Sequence, residues 1–367
     1  MSFYDEYLAY SDAMLTAALV ETTGEQVLKI IGKERLTPMD FLALLSPAAE
    51  AHLELMAQKA YALTVQHFGR VILLYTPMYL SDYCTNQCTY CGFNATNTFT
   101  RKQLTMVEVA REAQNIAATG LKHILILTGD APKIAGISYI KDCVKILKKY
   151  FSSIAIEVYA MEREEYASLI EAGVDSMTLY QETYNSQIYD TLHVKGPKKD
   201  YSYRLDAPER ACKAGMRSVN VGALLGLDNW RKDGFFTGVH ADYLQNKYSE
   251  IEISISLPRI RPTMGNYDEP LQVTDKNMVQ FMTAFRLFMP RAGITLSTRE
   301  RAEFRNHAIK LGITKMSAGV NTAVGGHSDN QENSGQFAIS DTRNVKEMCE
   351  AIYKLGYQPI YKDWQML

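Results

Sequence analysis

The chain has 367 residues, of which 47% are hydrophobic and 22% are charged, and its formal net charge is −2. This balance is typical of a globular protein with a large buried core, and a single α/β barrel can reach this length. The small net charge provides no electrostatic attraction to nucleic acid or to an anionic membrane surface, so neither is expected as a partner.

The amino-terminal stretch M-S-F-Y-D-E-Y is acidic and lacks the basic and apolar regions of a secretory signal. The longest charge-free apolar run, V-I-L-L-Y-T-P-M-Y-L from Val71, is about half a membrane span and contains a proline. We therefore expect a cytoplasmic protein. In that reducing compartment, clustered cysteines are more typical of metal ligands or catalytic thiols than of disulfides.

The first part of the chain has a helical pattern. Apolar residues recur at helical spacing over 25–31 and 38–67, and no alternating strand pattern occurs there. The sequence predicts three regions: a helical region over 1–69, an α/β barrel over 70–340, and a C-terminal helix and tail over 341–367 that pack on the barrel.

After Arg70, short β-branched runs alternate with amphipathic stretches, which is typical of repeated βα units and a parallel sheet. Strands are predicted at 71–79, 123–128, 154–159, 176–180, 218–225, 252–257, 293–298 and 314–317. Helices between them include 107–118, 163–172, 207–214, 277–289 and 301–311, and several end at a glycine. This order favours an α/β fold of the (β/α)8 TIM-barrel type, with a doubly wound open sheet as the alternative.

Three of the six cysteines, Cys84, Cys88 and Cys91, follow the first predicted strand in the stretch C-T-N-Q-C-T-Y-C. A structural zinc site takes four protein ligands, and no fourth cysteine or histidine lies nearby in the sequence. Three thiolates on a 4Fe-4S cluster leave one iron free to bind a substrate or cofactor. Zinc binding or idle thiols stay open as alternatives. The other cysteines are expected to be packed thiols; they are Cys143, Cys212 and Cys349.

This cysteine pattern, with an aromatic residue before the last cysteine, resembles the signature of the radical S-adenosylmethionine (SAM) enzymes. The resemblance implies that SAM chelates the open iron and is split into methionine and a 5′-deoxyadenosyl radical. Other stretches are similar to the aromatic amino acid lyases of that superfamily, above all to the tyrosine lyases that act as 2-iminoacetate synthases in thiamine biosynthesis. These stretches are L-S-P-A-A-E, P-M-Y-L-S-D-Y-C, Y-Q-E-T-Y, S-L-P-R-I-R-P, L-S-T-R-E and the terminal K-D-W.

The resemblance implies that L-tyrosine is cleaved at its Cα–Cβ bond to 2-iminoacetate and p-cresol. It implies thiazole synthase as a partner and flavodoxin or ferredoxin as the reductant. One alternative is a related lyase acting on tryptophan. Another is a hydrogenase-maturing tyrosine lyase, but Cys349 is the only cysteine after Cys212, and a second cluster of that family's kind would need more. A non-catalytic metal-binding scaffold is the third alternative.

The resemblance also implies a set of SAM contacts. T-G-D at 128–130 matches the motif beside the methionyl amine, although the family more often has glutamate at the third position. Arg204 matches an arginine that pairs with the SAM carboxylate, and Glu182 is an alternative to its neighbours in Y-Q-E-T-Y. The implied cofactor-binding residues are Tyr90, Thr128, Gly129, Asp130, Glu157, Gln181, Thr183 and Arg204.

For the substrate, the resemblance implies that Arg299 holds the tyrosine carboxylate and that Ser317 and Tyr79 complete its orientation. All three are predicted at strand ends on the same face of a barrel. Two arginines of P-R-I-R-P are further candidates, with surface salt bridges as the alternative; they are Arg259 and Arg261. Three histidines could assist proton movement on the phenol or be structural; they are His193, His240 and His327.

Overall fold

The computed structural model describes residues 2–261, 267, 270–328 and 335–362. Before the first strand the chain forms the helices α1 Phe3–Leu8, α2 Asp12–Glu21, α3 Gly24–Gly32, α4 Pro38–Leu44 and α5 Leu53–Phe68. Capping boxes at Thr23 and Thr37 begin α3 and α4, because each threonine side chain accepts a hydrogen bond from the third helical amide. The predicted helical character of this part of the chain is confirmed.

Eight parallel strands close into a barrel. They are β1 Val71–Ser81, β2 His123–Thr128, β3 Ser153–Glu157, β4 Ser176–Glu182, β5 Ser218–Ala223, β6 Glu252–Ser256, β7 Gly293–Leu296 and β8 Lys315–Ser317. Each strand pairs with the next, and β1 pairs with both β2 and β8. The predicted barrel is therefore confirmed and the open sheet is wrong. The predicted strands differ from the observed ones by small shifts at their ends.

Helices follow most strands and cover the outside of the barrel. They are α6 Met106–Ala118, α7 Ile137–Leu147, α8 Arg163–Ala172, α9 Ser186–Leu192, α10 Tyr201–Leu205, α11 Ala207–Lys213, α12 Trp230–Lys247, α13 Asp275–Phe288, α14 Ala302–Ala308 and α15 Val345–Lys354. The predicted glycine stop after α8 is confirmed, because Gly173 adopts the left-handed conformation with φ 118°. The predicted helix 301–311 divides into α14 and a 3₁₀ turn, Ile309–Leu311.

The amino-terminal helices pack on the outer helices α12 and α13. Phe41 of α4 stacks on Phe288 with ring centroids 4.7 Å apart. The same ring lies against Gly238 of α12, where a Cβ atom would be 2.3 Å from Phe41 Cε1. The short strand β9, Gln358–Ile360, pairs with the start of β1, which is the end of the barrel opposite its carboxyl-terminal mouth.

Among the described residues, no helix is long and apolar enough to cross a membrane. The division into regions at 69/70 and 340/341 stays a prediction. Two stretches named in the sequence analysis fall partly outside the described residues: the terminal K-D-W motif beyond Lys362 and the last proline of S-L-P-R-I-R-P.

Candidate active site

The three clustered cysteines lie at the barrel mouth, in the loop 83–100 that follows β1. Their side chains line one cavity at the carboxyl ends of β1 to β4. The loop is fastened to its surroundings by main-chain bonds, from Thr85 N to Asp130 O at 2.9 Å and from Gln87 N to Lys195 O at 2.8 Å. Burial raises the pKa of the Cys88 thiol to about 12. Metal coordination must therefore displace protons from this loop.

Gly129 allows the cysteine loop to lie against the end of β2. A Cβ atom at this position would be 2.3 Å from Tyr83 O and 3.0 Å from Cys84 Cβ. The Gly129 amide also donates to Ser81 O at 2.9 Å. Glycine is needed here because two main-chain segments meet without room for a side chain. Gly129 therefore lies in the cavity wall and sets the position of the first cysteine.

Thr128 and Asp130 line the same cavity, and each has one buried polar atom without a partner among the described residues. Thr128 Oγ1 and Asp130 Oδ1 are buried and have no hydrogen-bond partner within the described structure. The other Asp130 oxygen accepts a bond from Asn86 Nδ2 at 2.7 Å, and burial raises the pKa of the Asp130 carboxyl. Buried polar atoms without a partner are uncommon in folded proteins. Two such oxygens on residues that line one cavity suit an ammonium group such as that of a methionyl amine.

The end of β4 is irregular and contributes a glutamate to the site. Glu182 has φ 72° and is the only non-glycine residue with a positive φ among those described, and the register with β5 shifts between Tyr180 and Glu182. Glu182 lines the cavity, as does Tyr180 two residues before it. Gln181 and Thr183 lie outside it.

The Glu182 conformation is held from outside the barrel by Asp233 of α12. One Asp233 oxygen accepts from Thr183 Oγ1 at 3.0 Å and from Tyr184 N at 2.8 Å. Leu224 N donates to Glu182 O at 2.8 Å. A left-handed glutamate is strained and persists only where its surroundings fix it. Inside the barrel, the Glu182 carboxylate binds Lys198 Nζ.

Arg204 shares this carboxylate. Its Nη2 lies 3.5 Å from Glu182 Oε1, and its Nε donates to Tyr180 O at 2.8 Å. Lys198 was not predicted from the sequence as a site residue, although it lines the cavity. It lies in the 3₁₀ turn Pro197–Lys199, and no local pattern distinguishes it from its exposed neighbour Lys199.

Glu157, at the end of β3, lies between the cysteine-lined cavity and a second cavity at the ends of β1, β7 and β8. Burial raises the pKa of its carboxyl to about 7, against the opposing effect of the Arg299 cation. Tyr79, Cys91, Tyr180, Glu182 and Lys198 line both cavities as well. The two cavities are therefore adjoining parts of one site.

Tyr90 lines the second cavity, and its hydroxyl lies 2.8 Å from Nε2 of the buried His193. The other ring nitrogen, Nδ1, lies 2.7 Å from the carbonyl oxygen of Tyr189 and so carries the proton that it donates. Nε2 is then the acceptor for Tyr90. Burial lowers the pKa of His193 to about 3. His193 is therefore a neutral support for Tyr90.

The second cavity contains the three residues predicted to hold the substrate. The Arg299 guanidinium lies 3.4 Å from the Phe337 ring centroid and has no hydrogen bond or ion pair with any described residue. Ser317 Oγ accepts from Thr298 N at 3.1 Å. The Tyr79 hydroxyl donates to Gln336 Oε1 at 2.8 Å. Apolar side chains complete the wall; they are Leu125, Leu127, Leu224, Pro258, Ile260 and Phe337.

The arginines of P-R-I-R-P are not surface salt bridges. Arg259 Nε donates to Glu300 Oε1 at 2.9 Å, and its Nη2 to Asp275 Oδ1 at 3.0 Å. Glu300 is almost fully buried. Arg261 lines the second cavity and lies 3.2 Å from the other Glu300 oxygen. Arg259 is thus a framework residue, whereas Arg261 is at the cavity edge.

The remaining histidines and cysteines lie elsewhere. His240 Nδ1 lies 3.0 Å from the Tyr184 hydroxyl, and its ring stacks on Phe3. His327 Nε2 donates to Pro77 O at 3.0 Å. Neither ring lines the two cavities. The three other cysteines are buried and free; they are Cys143, Cys212 and Cys349.

The arrangement of the thiols differs from a single-ion site. No group of three histidine, cysteine, aspartate or glutamate side chains in the described ranges could hold one metal ion. A tetrahedral zinc ion with Zn–S bonds of ~2.3 Å would bring its sulfur ligands to within about 4 Å of one another. In an iron–sulfur cluster, by contrast, the thiolates bind different irons. Three thiols around a cavity, beside the unpaired Thr128 and Asp130 oxygens, fit a cluster together with an amino acid cofactor.

Comparison with known proteins agrees with this geometry. The family model of the Radical SAM superfamily matches residues 78–233, and that of the Biotin and Thiamin Synthesis associated domain matches residues 256–358. The 2-iminoacetate synthase of Escherichia coli is 39% identical over 343 residues, which are 93% of this chain and 91% of that protein. The 2-iminoacetate synthase of Salmonella typhimurium has the same identity and coverage.

Solved structures agree in fold. The crystal structure of HydG, a maturase of the FeFe-hydrogenase, superposes with a TM-score of 0.91 and 32% identity, covering 96% of this chain and 80% of that chain. Methylornithine synthase (PylB) has a TM-score of 0.74 at 21% identity, covering 91% of this chain and 97% of that chain. The second likeness extends to the fold alone.

Proposed function

We propose that this chain cleaves the Cα–Cβ bond of L-tyrosine. The chain belongs to the 2-iminoacetate synthase family of radical SAM enzymes. The products are 2-iminoacetate and p-cresol, with methionine and 5′-deoxyadenosine formed from SAM, and the imine serves thiazole formation in thiamine biosynthesis. The observation that carries the proposal is the 39% identity to a 2-iminoacetate synthase over 93% of the chain. The enzyme uses a 4Fe-4S cluster and SAM.

In this proposal the cluster is held by the thiolates of Cys84, Cys88 and Cys91. When bound, the cluster and SAM supply a 5′-deoxyadenosyl radical. Thr128 and Asp130 receive the methionyl ammonium group, because their unpaired oxygens are acceptors in a buried place. Arg204 and Lys198 provide cations for the methionyl carboxylate, and Glu182 holds these two cations in position.

Three residues bind and orient tyrosine in the second cavity. Arg299 receives the substrate carboxylate, since a half-buried guanidinium without an ion-pair partner among the described residues is stabilised by an anionic ligand. Ser317 and Tyr79 offer hydroxyl groups beside it, and the apolar wall accepts the phenol ring. Removing a hydrogen atom from the substrate amine requires accurate placement more than acid–base strength. The chain contributes that placement and excludes water.

Glu157 is proposed as a cofactor-binding residue at the border of the two cavities. Its pKa of about 7 allows it to be either a hydrogen-bond donor or an acceptor near neutral pH, and ribose hydroxyls match either form. Tyr90 contributes an aromatic wall that His193 holds in place.

Radical SAM enzymes need a reductant, and we propose that flavodoxin or ferredoxin has this role. We also propose thiazole synthase as the partner that consumes the product, because 2-iminoacetate is an unstable imine. Cytoplasmic location is part of the same proposal.

The proposal is tested by anaerobic incubation of the reconstituted protein with SAM, dithionite and either tyrosine or tryptophan. Mass spectrometry should detect p-cresol with tyrosine and no carbon–carbon cleavage with tryptophan. The Cys88→Ala variant is the control, and it should release no 5′-deoxyadenosine. Release of 5′-deoxyadenosine without p-cresol would instead identify a lyase for another aromatic amino acid.

A further inference from the structure

The loop 83–100 has to hold three cluster ligands although it contains no helix and no strand longer than the isolated bridge at Cys88. Its base is closed firmly. Asp82 N donates to Lys102 O at 3.1 Å, and Lys102 N donates to Asp82 Oδ1 at 2.7 Å. Closing the base fixes the two ends of the loop. The position of the thiols between them depends on contacts inside the loop.

The Arg101 side chain occupies the interior of this loop. Its Nη1 donates to Asp82 O at 2.7 Å and to Phe93 O at 3.0 Å. Its Nη2 donates to Asn94 O at 2.6 Å and to Asn97 O at 3.3 Å. The guanidinium group therefore binds main-chain carbonyls on both sides of the cysteines, one before Cys84 and three after Cys91.

These bonds continue to the ligands themselves. Asn94 Nδ2 donates to Cys88 O at 3.0 Å, and Asn94 N donates to Cys91 O at 3.0 Å. Arg101 is thus connected through Asn94 to the main chain of two of the three cluster ligands. The plane of its guanidinium group also packs on Phe99, with Cζ 4.0 Å from the ring centroid. The side chain is held on its face as well as at its edges.

Arginine is suited to this task in a way that lysine is not. A guanidinium group has five N–H donors in a rigid plane and keeps its charge, so it can bind several carbonyls in fixed directions. An ammonium group is compact, and one such group cannot contact carbonyls spread over 82, 93, 94 and 97 in the same way. Hydrogen bonds to a charged donor are also the stronger ones.

We propose that Arg101 is a positioning residue for the iron–sulfur cluster. By joining the chain before Cys84 to the chain after Cys91, it keeps the three thiols in the arrangement that receives the cluster and slows its loss. This inference depends on the proposed function, because it requires a cluster at the three cysteines. Arg101 itself touches neither cavity.

The test compares Arg101→Lys with a matched control, Arg210→Lys. Arg210 also binds main-chain carbonyls, Met161 O at 2.7 Å and Tyr203 O at 2.8 Å, and also packs on an aromatic ring at 4.0 Å. It lies on α11, away from the cysteine loop. Iron and sulfide per chain are measured after anaerobic reconstitution, followed by the rate of iron release to a chelator and by electron paramagnetic resonance of the reduced cluster with and without SAM.

Arg101→Lys should release iron about tenfold faster than the wild type, since losing even one hydrogen bond to a charged donor is worth about that factor. Its resonance spectrum should also broaden, whereas Arg210→Lys should match the wild type in both measurements. Iron release from each protein is measured at the same number of degrees below its own melting temperature, so that a general loss of stability does not account for a difference.

Equal iron release from the wild type and Arg101→Lys would overturn the proposal. Equally fast release from both variants would overturn it as well, because the effect would then be a general loss of stability. If the wild-type chain loads no four-iron cluster, the proposed function itself fails. A failure of the Arg101 proposal alone leaves the wild-type cluster intact.

Discussion

Two arginines at neighbouring strand ends have opposite surroundings. Arg259, after β6, is paired with Glu300 and Asp275 and also donates to Val273 O at 3.0 Å. Arg299, after β7, lies against the Phe337 ring and has no ion pair with a described residue. The adjacent residues Arg299 and Glu300 face in opposite directions, since Arg299 lines the cavity and Glu300 binds the framework arginine.

This difference shows that Arg259 supports the framework, whereas Arg299 is available to bind a ligand. A buried cation is costly unless it is paired and hydrogen-bonded. Carboxylates of the chain form ion pairs with Arg259, and these pairs fix the end of the strand. No described residue forms an ion pair with Arg299, so an anionic ligand can take that place. Within the barrel mouth, unsatisfied charge therefore indicates the binding site better than the presence of an arginine does.

Removing the Arg299 charge should have the strongest effect on activity. We expect Arg299→Met to lower kcat/KM for tyrosine by about a thousandfold, or ~4 kcal/mol, because the substrate carboxylate loses its buried partner. Stability of the chain without ligands should stay the same or rise, since a half-buried charge without an ion pair to any described residue is removed.

Liquid chromatography of p-cresol and 5′-deoxyadenosine checks the Arg299 prediction, and urea unfolding checks stability. Arg299→Lys, which keeps the charge, is the control and should retain more activity than Arg299→Met. SAM cleavage with dithionite should persist in both variants. Wild-type tyrosine turnover by Arg299→Met would show that the substrate carboxylate binds elsewhere.

The matched change on the framework side is Arg259→Met. We expect it to lower the free energy of unfolding by ~3 kcal/mol, because the almost fully buried Glu300 carboxylate loses its main partner and keeps only the contact to Arg261 at 3.2 Å. Urea unfolding measures the loss. The double variant Arg259→Met/Glu300→Leu is the control and should recover most of the stability, since the buried carboxylate is then gone, Asp275 keeps its ion pair with Arg301, and the partly exposed Arg261 is solvated. Failure to recover would mean that packing rather than pairing makes Arg259 necessary.

The sequence predicted the strand-end residues because a closed parallel barrel brings the carboxyl ends of all its strands to one face. Tyr79, Arg299 and Ser317 follow from that rule together with family resemblance. The sequence left the inward residue of Y-Q-E-T-Y open among Gln181, Glu182 and Thr183. In the structure Tyr180 and Glu182 both line the cavity, as alternation along a strand requires. The left-handed conformation of Glu182 could not be predicted, because the chain that follows it is bound by Asp233 on a distant helix.

Two other features were also beyond the sequence. Lys198 enters the site through a loop whose path is set by tertiary contacts, such as Lys198 N to Asn86 Oδ1 at 2.9 Å. The framework role of Arg259 depends on Glu300, whose orientation reverses relative to Arg299 within one residue. Patterns along the chain indicate elements and their order, whereas the pairing of charges is decided by packing between elements.

Burial raises the pKa of the Glu157 carboxyl and the Arg299 cation lowers it, so the titration of Glu157 measures the effect of the Arg299 charge. Its folded-state pKa of about 7 lies above the usual value of ~4.3 for glutamate. Between these values the folded chain keeps a proton that the unfolded chain has lost, so stability falls as the pH rises from 4.5 to 7. Besides burial, Glu182 raises this pKa, and the cations of Arg299, Lys198 and Arg204 lower it.

Glu157→Gln removes this titration. We expect the variant to match the wild type at pH 4.5 and to be more stable by ~2 kcal/mol at pH 8, less than the full shift implies because water in the cavity solvates the carboxylate. Urea unfolding of the protein without ligands at the two pH values measures the difference. In an Arg299→Met background the benefit should grow. A benefit independent of pH would mean that Glu157 is ionised throughout.

The smallest expected effect concerns Thr128, an unsatisfied group without charge. Thr128→Val keeps the shape and the strand preference of the side chain but removes the buried hydroxyl that has no partner. Since that hydroxyl is available to bind the SAM ammonium group, we expect about fivefold weaker SAM binding, or ~1 kcal/mol. Stability without SAM should not fall.

Thr64→Val is the control, because the Thr64 hydroxyl already donates to Ala60 O at 2.7 Å. In this variant stability should fall and SAM binding should not change. Calorimetry of SAM binding to the anaerobic holoprotein decides between them, and equal SAM affinity in both variants would remove Thr128 from the cofactor site while leaving the contrast between Arg259 and Arg299 untouched.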